Sequence, residues 1–352
     1  MTTTLLKRNP LLDNLNLINF SLSLLIVFHH AFTVNIDYNG SFSPKSYGFT
    51  ISLQRMLYNF SECAVPMFYF LSAYLFYRSF DGSLKQYKEK IYRRFYSLLV
   101  PYVIFCTFGF IKHLTVAGAV SGGGNLFLSY LNSLWVCNTM PLWFIRELIA
   151  LSLLAPVFYR ILQSKLLLVV ICVLVVFFVS IGIVPYRSFI YWIPVYLMGA
   201  KLNNLKLNSI YCMIENHSNL IFLGLLIIYI VWAWFLPNGI FRHDMAWYQN
   251  LDFVLFRIFT PIVFLPLMCY VTRKNMKKKE WMNYSFFVYC MHFPVITILR
   301  LIMDRVHGFS CNLDLVKYFL IVFLSYSICV IMGMTIRRYL PSVWFVINGH
   351  RK

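Results

Sequence analysis

The chain has 352 residues, of which 60% are hydrophobic and 12% are charged, and its mean hydropathy is +0.69. Soluble domains carry roughly 45–50% apolar and about 25% charged residues, so this composition lacks the polar side chains that would cover a water-soluble core. It excludes a soluble globular protein and predicts an integral membrane protein whose excess apolar surface faces lipid.

The formal net charge of +19 does not indicate a nucleic-acid-binding protein, because the basic residues occur in short runs between apolar stretches. Membrane proteins show this distribution, since their cytoplasmic loops hold an excess of lysine and arginine. We therefore expect membrane lipids as partners and no nucleic acid. The nine cysteines form no C-x-x-C pair and no Cys/His spacing suited to zinc, so we expect no metal site.

Ten stretches of the chain approach the roughly 20 apolar residues that a helix needs to cross the hydrocarbon core. Helices are expected because unsatisfied backbone groups are costly in lipid. The first stretch is too long for a signal-peptide core and no cleavage site follows it, so we expect it to be retained. The sequence predicts an all-α, polytopic membrane helix bundle of about ten transmembrane helices, forming a single integral membrane domain over residues 1–352. The ten stretches are residues 15–34, 61–80, 97–117, 141–162, 165–184, 188–201, 219–237, 251–272, 284–303 and 315–338.

The basic residues also predict the orientation. With the N-terminus inside, 21 of the 31 lysine and arginine residues fall on the inner side of these stretches, so both termini are predicted to be cytoplasmic. The long connections predicted on the outer side are residues 35–60, 118–140 and 238–250. The inner basic run from Lys85 to Arg94 either anchors this topology or holds a phosphorylated donor through charge-assisted hydrogen bonds.

Several ionisable residues lie within the predicted helices, where they are expensive and become candidate functional residues. Each has a structural alternative: an intramembrane histidine can bond one helix to another, and a neighbouring arginine and glutamate can neutralise each other. Adjacent histidines point about 100° apart on a helix, so at most one of His29 and His30 is expected to face a given site. The candidates are His29, His30, Arg146, Glu147, Arg257 and His292, with Tyr289 three residues before His292 on the same face.

Histidine is the residue type best suited to activate a hydroxyl group here. Its ordinary pKa lies near neutrality, so it can act as a general base without large tuning. A neighbouring carboxylate would orient the imidazole and stabilise its cation. Glu147 lies at a suitable depth, and Glu62, at the start of the second stretch, is a second candidate.

Five stretches, spread over nearly the whole chain, carry a family likeness. They are Asn19–His30 (NFSLSLLIVFHH), Val65–Leu75 (VPMFYFLSAYL), Tyr92–Tyr102 (YRRFYSLLVPY), Pro141–Ile145 (PLWFI) and Ser285–Pro294 (SFFVYCMHFP). In this order and spacing they resemble the acyltransferase 3 family of bacterial membrane proteins, which includes O-acetyltransferases of surface polysaccharides.

The chain departs from the usual pattern of that family at three places. The family commonly carries an arginine eleven residues before the first-helix histidine, and that position is Asn19 if the histidine is His30, or Ile18 if it is His29. The glycine that usually follows Ser72 is alanine. The carboxylate that usually follows the tryptophan of the fourth stretch is matched only approximately, by Glu147.

The resemblance implies a membrane-bound transferase. An acyl group, commonly acetyl from acetyl-CoA, would be taken at the cytoplasmic face and delivered to a hydroxyl group on the outer side. The acceptor would be a cell-surface polysaccharide, such as an O-antigen or exopolysaccharide, or a lipid-linked sugar. The protein would then be a multi-pass component of the bacterial cytoplasmic (inner) membrane.

The resemblance also implies roles for individual residues. His30 or His29 would deprotonate the acceptor hydroxyl or carry the acyl group transiently, with Glu147 as the supporting carboxylate. Ser72 and Tyr74 would shape the cavity and donate to the developing oxyanion. The cationic residues expected at the CoA phosphates are Lys90, Arg93 and Arg94, and the other residues expected to line the cavity are Trp143, Arg257, Tyr289 and His292.

A multi-pass polysaccharide transporter or flippase without acyl chemistry is the alternative. It would have a polar site near the middle of the membrane, built from broken helices, and no need of CoA. Dependence on an acyl-CoA donor distinguishes the two functions. A purely structural membrane protein is disfavoured, because intramembrane histidine, arginine and glutamate are costly.

Overall fold

In a computed structural model of the chain, the residues described are 10–32, 48–117, 125–136, 141–202, 207, 209, 210, 220–236, 245–272, 279–305 and 314–351. Within these segments the chain forms helices joined by short connections, and no β-strand occurs there. The prediction of an all-α protein is confirmed.

The helices are numbered here in chain order. The first eight are α1 Pro10–Asp13, α2 Leu15–His30, α3 Gly48–Ser61, α4 Ala64–Tyr77, α5 Leu84–Arg94, α6 Val100–Ala117, α7 Leu126–Val136 and α8 Trp143–Leu153. The others are α9 Ala155–Gln163, α10 Lys165–Ser180, α11 Ile193–Lys201, α12 Leu220–Phe235, α13 Trp247–Thr272, α14 Ser285–Arg305, α15 Asp314–Tyr339 and α16 Pro341–Ile347. Short 3₁₀ turns, Phe189–Trp192 and Glu280–Tyr284, lead into α11 and α14.

Four helical segments of the described chain are long and apolar enough to cross a membrane. They are Leu84–Lys112, Trp247–Thr272, Glu280–Met303 and Leu315–Tyr339. The helices Leu15–His30, Leu126–Val136, Lys165–Ser180 and Leu223–Phe235 are apolar but shorter. The chain is therefore an integral membrane protein, while the number of about ten crossings and the cytoplasmic termini stay predictions.

Two of the connections predicted on the outer side contain helices. Residues 48–61 form α3, which packs against α2 and α12. The side-chain amide of Asn59 donates to the carbonyls of Ala233 and Leu236, at 3.0 and 3.3 Å, at the end of α12. Carbonyls at the end of a helix have no partner inside that helix. The contact with α12 therefore stabilises α3, a segment whose polar composition did not predict a helix. Residues 126–136 form α7 in the second connection.

The fourth predicted span, residues 141–162, is broken into α8 and α9. Pro156 stands in the first turn of α9. Proline has no N–H to donate, and its ring would clash with the carbonyl of Ser152, so α8 cannot continue through it. The chain turns at Leu154, whose N–H donates to the carbonyl of Ala150 at 3.2 Å.

The basic run Lys85–Arg94 and the third predicted span belong to one helical segment. A π-helical turn, Phe95–Leu99, joins α5 to α6, so Leu84–Lys112 is one continuous helical segment. Pro101 explains the turn, because it has no N–H for the carbonyl of Ser97 four residues earlier. The basic residues are therefore held on a rigid helix.

Helix α2 carries the two adjacent histidines. It lies between α14 and α15 on one side and α3 and α4 on the other. The Tyr318 hydroxyl donates to the carbonyl of Phe28 at 3.0 Å, and the hydroxyls of Ser23 and Tyr326 are 3.0 Å apart. These bonds fix the rotation of α2 about its own axis. The last turn of α2 therefore presents its two histidines to different neighbours.

The tightest helix contact joins α4 to α11. Gly199 on α11 lies directly against the carbonyl of Phe70 on α4, and a Cβ at position 199 would overlap that carbonyl group. Only glycine allows two backbones to approach so closely.

Gly199→Ala is expected to destabilise the fold, because the obstructing atom belongs to the backbone and cannot move aside as a side chain would. We expect a loss of about 1–3 kcal/mol or more, seen as a lower midpoint temperature for loss of monodisperse protein in detergent. Gly224→Ala is the matched control, since a Cβ at position 224 meets nothing within 4 Å. Equal stability of the two variants would contradict this account.

Candidate active site

Three histidines meet at the end of α2. The ring centre of His30 lies 5.0 Å from that of His29 and 5.2 Å from that of His292 on α14. The packing of α14 against α2 creates this proximity between residues that are far apart in sequence. The structure thus joins the first-helix histidines with the histidine of the ninth predicted span.

The backbone around His292 fixes the tautomer of its imidazole. His292 is fully buried, and its Nδ1 lies 2.7 Å from the carbonyl of Tyr289 and 3.2 Å from that of Val288. A carbonyl only accepts, so Nδ1 carries the hydrogen and Nε2 presents a lone pair. Nε2 has no hydrogen-bond partner among the described residues. A buried basic nitrogen in this state, beside His30, is suited to receive or orient a proton.

His29 faces a different neighbour. Its ring stacks on that of Tyr58 with centres 3.9 Å apart, and its Nδ1 lies 3.3 Å from the Tyr58 carbonyl and 3.4 Å from the Ser61 hydroxyl. These contacts tie the last turn of α2 to α3. Of the two adjacent histidines, His30 is the one that lies against His292.

Arg300 on α14 holds the end of α2 in place. Its guanidinium donates to the carbonyl of His30 at 2.8 Å and also to the carbonyl of Phe32. Carbonyls at the end of a helix lack partners in the helix itself, and a cation is favourable there. Arg300 therefore fixes the position of the His30 backbone.

A cavity of about 300 Å³ opens at the other end of α2. Asn19 on α2, Ser72 on α4, Arg94 on α5 and Tyr289 on α14 all line it. The Ser72 hydroxyl has no hydrogen-bond partner among the described residues, while the Arg94 guanidinium donates to the Ser72 carbonyl at 3.1 Å. The cavity thus brings an unpartnered hydroxyl and the guanidinium of Arg94 to one place.

Tyr289 lies between the cavity and the histidines. It lines the cavity, and its ring centre is 6.1 Å from that of His292. Its hydroxyl donates to the carbonyl of Pro141 at 2.9 Å, which brings the start of the PLWFI stretch to the same place. Tyr289 therefore connects the wall of the cavity with the histidine cluster.

Glu147 pairs with its neighbour in sequence. The Arg146 Nε donates to the Glu147 carboxylate at 2.7 Å, and the same arginine donates to the carbonyl of Arg187 at 3.1 Å. Glu147 is 4% exposed and has no contact with a histidine in the described part of the chain. The ring centre of Trp143, on the same helix, lies 5.0 Å from that of Tyr186, with the two rings tilted by 57°. Neither residue lines the 300 Å³ cavity as described.

Arg257 is saturated by a buried ion pair with Glu62. Arg257 is 1% exposed and Glu62 is 3% exposed, and the Arg257 Nε donates to the carboxylate at 3.0 Å. A second guanidinium nitrogen also donates to Glu62, a third donates to the Tyr191 hydroxyl, and the Tyr186 ring centre lies 4.5 Å from the guanidinium. This geometry favours the structural alternative for Arg257.

The remaining candidates lie around the basic helix α5. Arg93 is exposed and does not line the cavity, and the Lys90 ammonium donates to the Ser79 hydroxyl at 2.9 Å. Tyr74 is fully buried on α4. Of the three cations expected at the CoA phosphates, Arg94 is the one that reaches the cavity. The helical period separates it from Arg93 by about 100°, so the two cannot share one face.

One cation of the cavity, Arg351, was not among the residues predicted for the site. Arg351 follows α16 and lines the cavity together with Arg94, although 257 positions separate them in sequence. In the sequence, Arg351 belongs to a basic run at the predicted cytoplasmic side, and this run was already explained by its effect on the orientation of the helices. Only the packing of α16 against α6 brings it to the site.

Comparison with known proteins assigns the family. A family model described as an acyltransferase domain matches residues 12–334. The chain belongs to the acyltransferase 3 family. The resemblance inferred from five short stretches is thereby confirmed over most of the chain. No match was found among curated proteins or solved structures.

Membership in this family makes the chain a membrane acyltransferase. The chain departs from the family at Asn19, where the family commonly has arginine. Asn19 lines the cavity, and His30 lies eleven residues later on the same helix. Eleven residues make about three turns, so both side chains share one face of α2.

Loss of the Arg257 guanidinium is expected to reduce stability strongly. Arg257→Met leaves the Glu62 carboxylate buried without its cation, at a cost of about 3–5 kcal/mol. The double variant Glu62→Gln/Arg257→Met should recover part of this loss, because no unpaired charge remains. The midpoint temperature of heat-induced aggregation in detergent measures both effects.

The control is Arg337→Met, since Arg337 pairs with Glu280 at 3.1 Å on the exposed surface. An exposed pair contributes about 0–1 kcal/mol. If Arg337→Met and Arg257→Met lowered the midpoint equally, the Glu62–Arg257 pair would not have the structural role assigned to it.

Proposed function

We propose that this membrane acyltransferase moves an acyl group, in the simplest case acetyl, from acyl-CoA to a sugar hydroxyl. The acceptor is a cell-surface polysaccharide, such as an O-antigen or exopolysaccharide, or a lipid-linked sugar. The protein works as a multi-pass component of the bacterial cytoplasmic membrane. The observation that carries the proposal is the position of Tyr289, which lines the cavity together with Ser72 and Arg94 and has its ring centre 6.1 Å from that of His292.

The cavity suits the donor. An acyl-CoA presents phosphate groups, which pair with a guanidinium through charge-assisted hydrogen bonds, and Arg94 supplies one at the cavity. With the predicted orientation, the start of α2 and the cavity face the cytoplasm, where acyl-CoA is made. Asn19 and His30 are eleven residues apart, which is about 16 Å along the helix axis. The extended pantetheine arm of CoA can span that length.

The histidine pair suits the acyl-transfer step. His30 takes the proton from the acceptor hydroxyl, and the oxygen attacks the thioester carbonyl. The new C–O ester bond forms as the C–S bond breaks, and the departing thiolate takes up the proton to give free CoA. His292 presents its Nε2 lone pair beside His30, so it orients the His30 imidazole and stabilises the cation formed on it.

The Ser72 hydroxyl suits a polar oxygen of the donor arm. It has no hydrogen-bond partner among the described residues, and Ser72 lines the cavity beside Arg94, so the hydroxyl can donate to the acyl-CoA arm on its path from the cavity toward His30. The neighbouring Arg94 guanidinium raises the local positive potential.

One observation also agrees with the transporter alternative. The break between α8 and α9 at Pro156 is the kind of discontinuous helix that lines transport sites. Arg146 and Glu147, which neutralise each other, lie on α8 about two turns before this break. Family membership favours acyl chemistry, and dependence on the donor separates the two functions.

The first test is transfer of label from [¹⁴C]acetyl-CoA in membranes that contain the chain and a native glycan acceptor. His30→Asn and His292→Asn are each expected to lower transfer about 100-fold or more, the usual contribution of a positioned base. His29→Asn, which removes the contacts with Tyr58 and Ser61 on α3 but leaves the His30–His292 pair, should retain most of the activity at matched protein levels. Label in neither the polysaccharide nor the lipid-linked fraction with the native chain would favour the transporter.

The second test uses Ser72→Ala. Removing a hydroxyl that has no partner should leave stability unchanged or slightly higher, because no hydrogen bond is lost. Loss of one hydrogen bond to the donor should raise the KM for acetyl-CoA about 3- to 10-fold. Ser325→Ala is the control, since Ser325 is buried on α15 and donates only to the Val322 carbonyl of its own helix. An unchanged KM for Ser72→Ala would remove the residue from the mechanism.

A further inference from the structure

The cavity contains a second guanidinium, which belongs to Arg351 in the turn that follows α16. We call residues Asn348–Arg351 the 348–351 turn. The Arg351 guanidinium lies over the ring of Phe286 at 3.7 Å and donates to the Asn348 carbonyl at 2.8 Å. Two arginines that are 257 positions apart in sequence therefore line one cavity of about 300 Å³.

The positive charge of this pair is not compensated by the protein. No acidic residue lines the cavity, and neither Arg94 nor Arg351 forms an ion pair within the described part of the chain. Their polar partners are neutral carbonyls, those of Ser72 and Asn348. By contrast, the buried Arg257 has a carboxylate.

Burial and charge both act on Arg351. Burial, with a smaller contribution from the positive charge of Arg94, lowers the pKa of Arg351 to about 10. The side chain is still protonated at neutral pH, because that pKa lies well above 7. Two partly desolvated cations without a counter-ion are costly unless a ligand supplies negative charge.

The 348–351 turn is held in a specific conformation. Gly349 and His350 both have positive φ, +66° and +58°, a conformation that a residue with a side chain adopts at a cost. The His350 ring stacks on Phe345 at 4.2 Å and on Tyr96 at 4.9 Å. A Cβ at position 349 would overlap the Arg351 guanidinium and the carbonyl of Ser97. The turn is thus fitted against the π-helical segment that follows Arg94.

We propose that Arg94 and Arg351 form a phosphate-binding site, and that the 348–351 turn belongs to the donor site as the support that positions Arg351. The ligand is a phosphate ester or pyrophosphate. Its source is the donor acyl-CoA, an assignment that rests on the proposed function. Asn16 and Asn283, whose side chains are joined by a 2.7 Å hydrogen bond, lie at the same cavity and offer further donors to phosphate oxygens.

The test measures binding to the purified full chain in a non-ionic detergent by isothermal titration. The probes are CoA, inorganic pyrophosphate and dihexanoyl phosphatidylglycerol. Arg351→Gln should weaken CoA and pyrophosphate binding about 10-fold or more, as expected for loss of one charge-assisted hydrogen bond. Arg351→Lys should recover part of the affinity, since it keeps the charge but loses the fork of donors.

Two further variants distinguish a specific phosphate-binding site from a general effect of positive charge on binding. Arg338→Gln removes an equal charge from an exposed position on α15 and should leave CoA binding unchanged. Gly349→Ala keeps every charge but strains the turn, so it should weaken CoA binding in the direction of Arg351→Gln. Equal losses for Arg338→Gln and Arg351→Gln, or native binding by Arg351→Gln, would overturn the proposal.

The remaining outcomes distinguish the ligand source and the fate of the proposed function. Binding of phosphatidylglycerol but not of CoA would overturn the donor assignment in favour of a lipid headgroup. Arg351-dependent binding of pyrophosphate without any acetyl transfer would support the phosphate site and contradict the proposed function. In the transfer assay, Arg351→Gln should raise the KM for acetyl-CoA with little change in kcat, and an unchanged KM would overturn the proposal while leaving the function intact.

Discussion

An apolar bundle in lipid has no water to satisfy the charged and polar groups inside it, and this constraint separates the interior residues of the chain into two sets. In the first set the protein itself supplies the partner: Glu62 with Arg257, Glu147 with Arg146, and His29 with Tyr58 and Ser61. In the second set the polar atoms have no hydrogen-bond partner among the described residues. This set includes the His292 Nε2 and the Ser72 hydroxyl. Such groups are costly in a stable interior, so a ligand is the natural explanation for them.

The two sets also differ in what they do for the fold. The Glu62–Arg257 pair joins the segment before α4 to α13, and the Gly199 contact joins α4 to α11. Together they fix α4, the helix that carries Ser72, against the rest of the bundle. The rotation of α2 is fixed in the same way by Tyr318 and Ser23. Stability and function are therefore assigned to different residues on the same helices, as accurate positioning of a site requires.

The proposed reaction needs the donor and the acceptor to approach from opposite sides of a membrane. In the structure the cavity lies near the start of α2 and the histidines lie at its end, with Tyr289 and His292 on α14 bridging the two regions. In the proposed reaction, such an arrangement would keep the phosphate-bearing part of the donor at one face while its acyl group reaches the interior. The 348–351 turn adds a cation to the cavity from a part of the chain that follows all the predicted spans.

The sequence by itself determined the membrane class, the helical fold and the family, and it predicted the candidate residues of the site. Composition excludes a soluble core, the length of the apolar stretches predicts helices, and short motifs indicate the family. Each of these conclusions needs only local residue types and their spacing. Tertiary structure alone decided which candidates meet. It placed His30 rather than His29 against His292, directed Arg257 and Glu147 to ion pairs, selected Arg94 over Arg93, and brought Arg351 into the cavity. Pairing of this kind depends on helix rotation and on contacts between residues far apart in sequence, and neither is encoded in local periodicity.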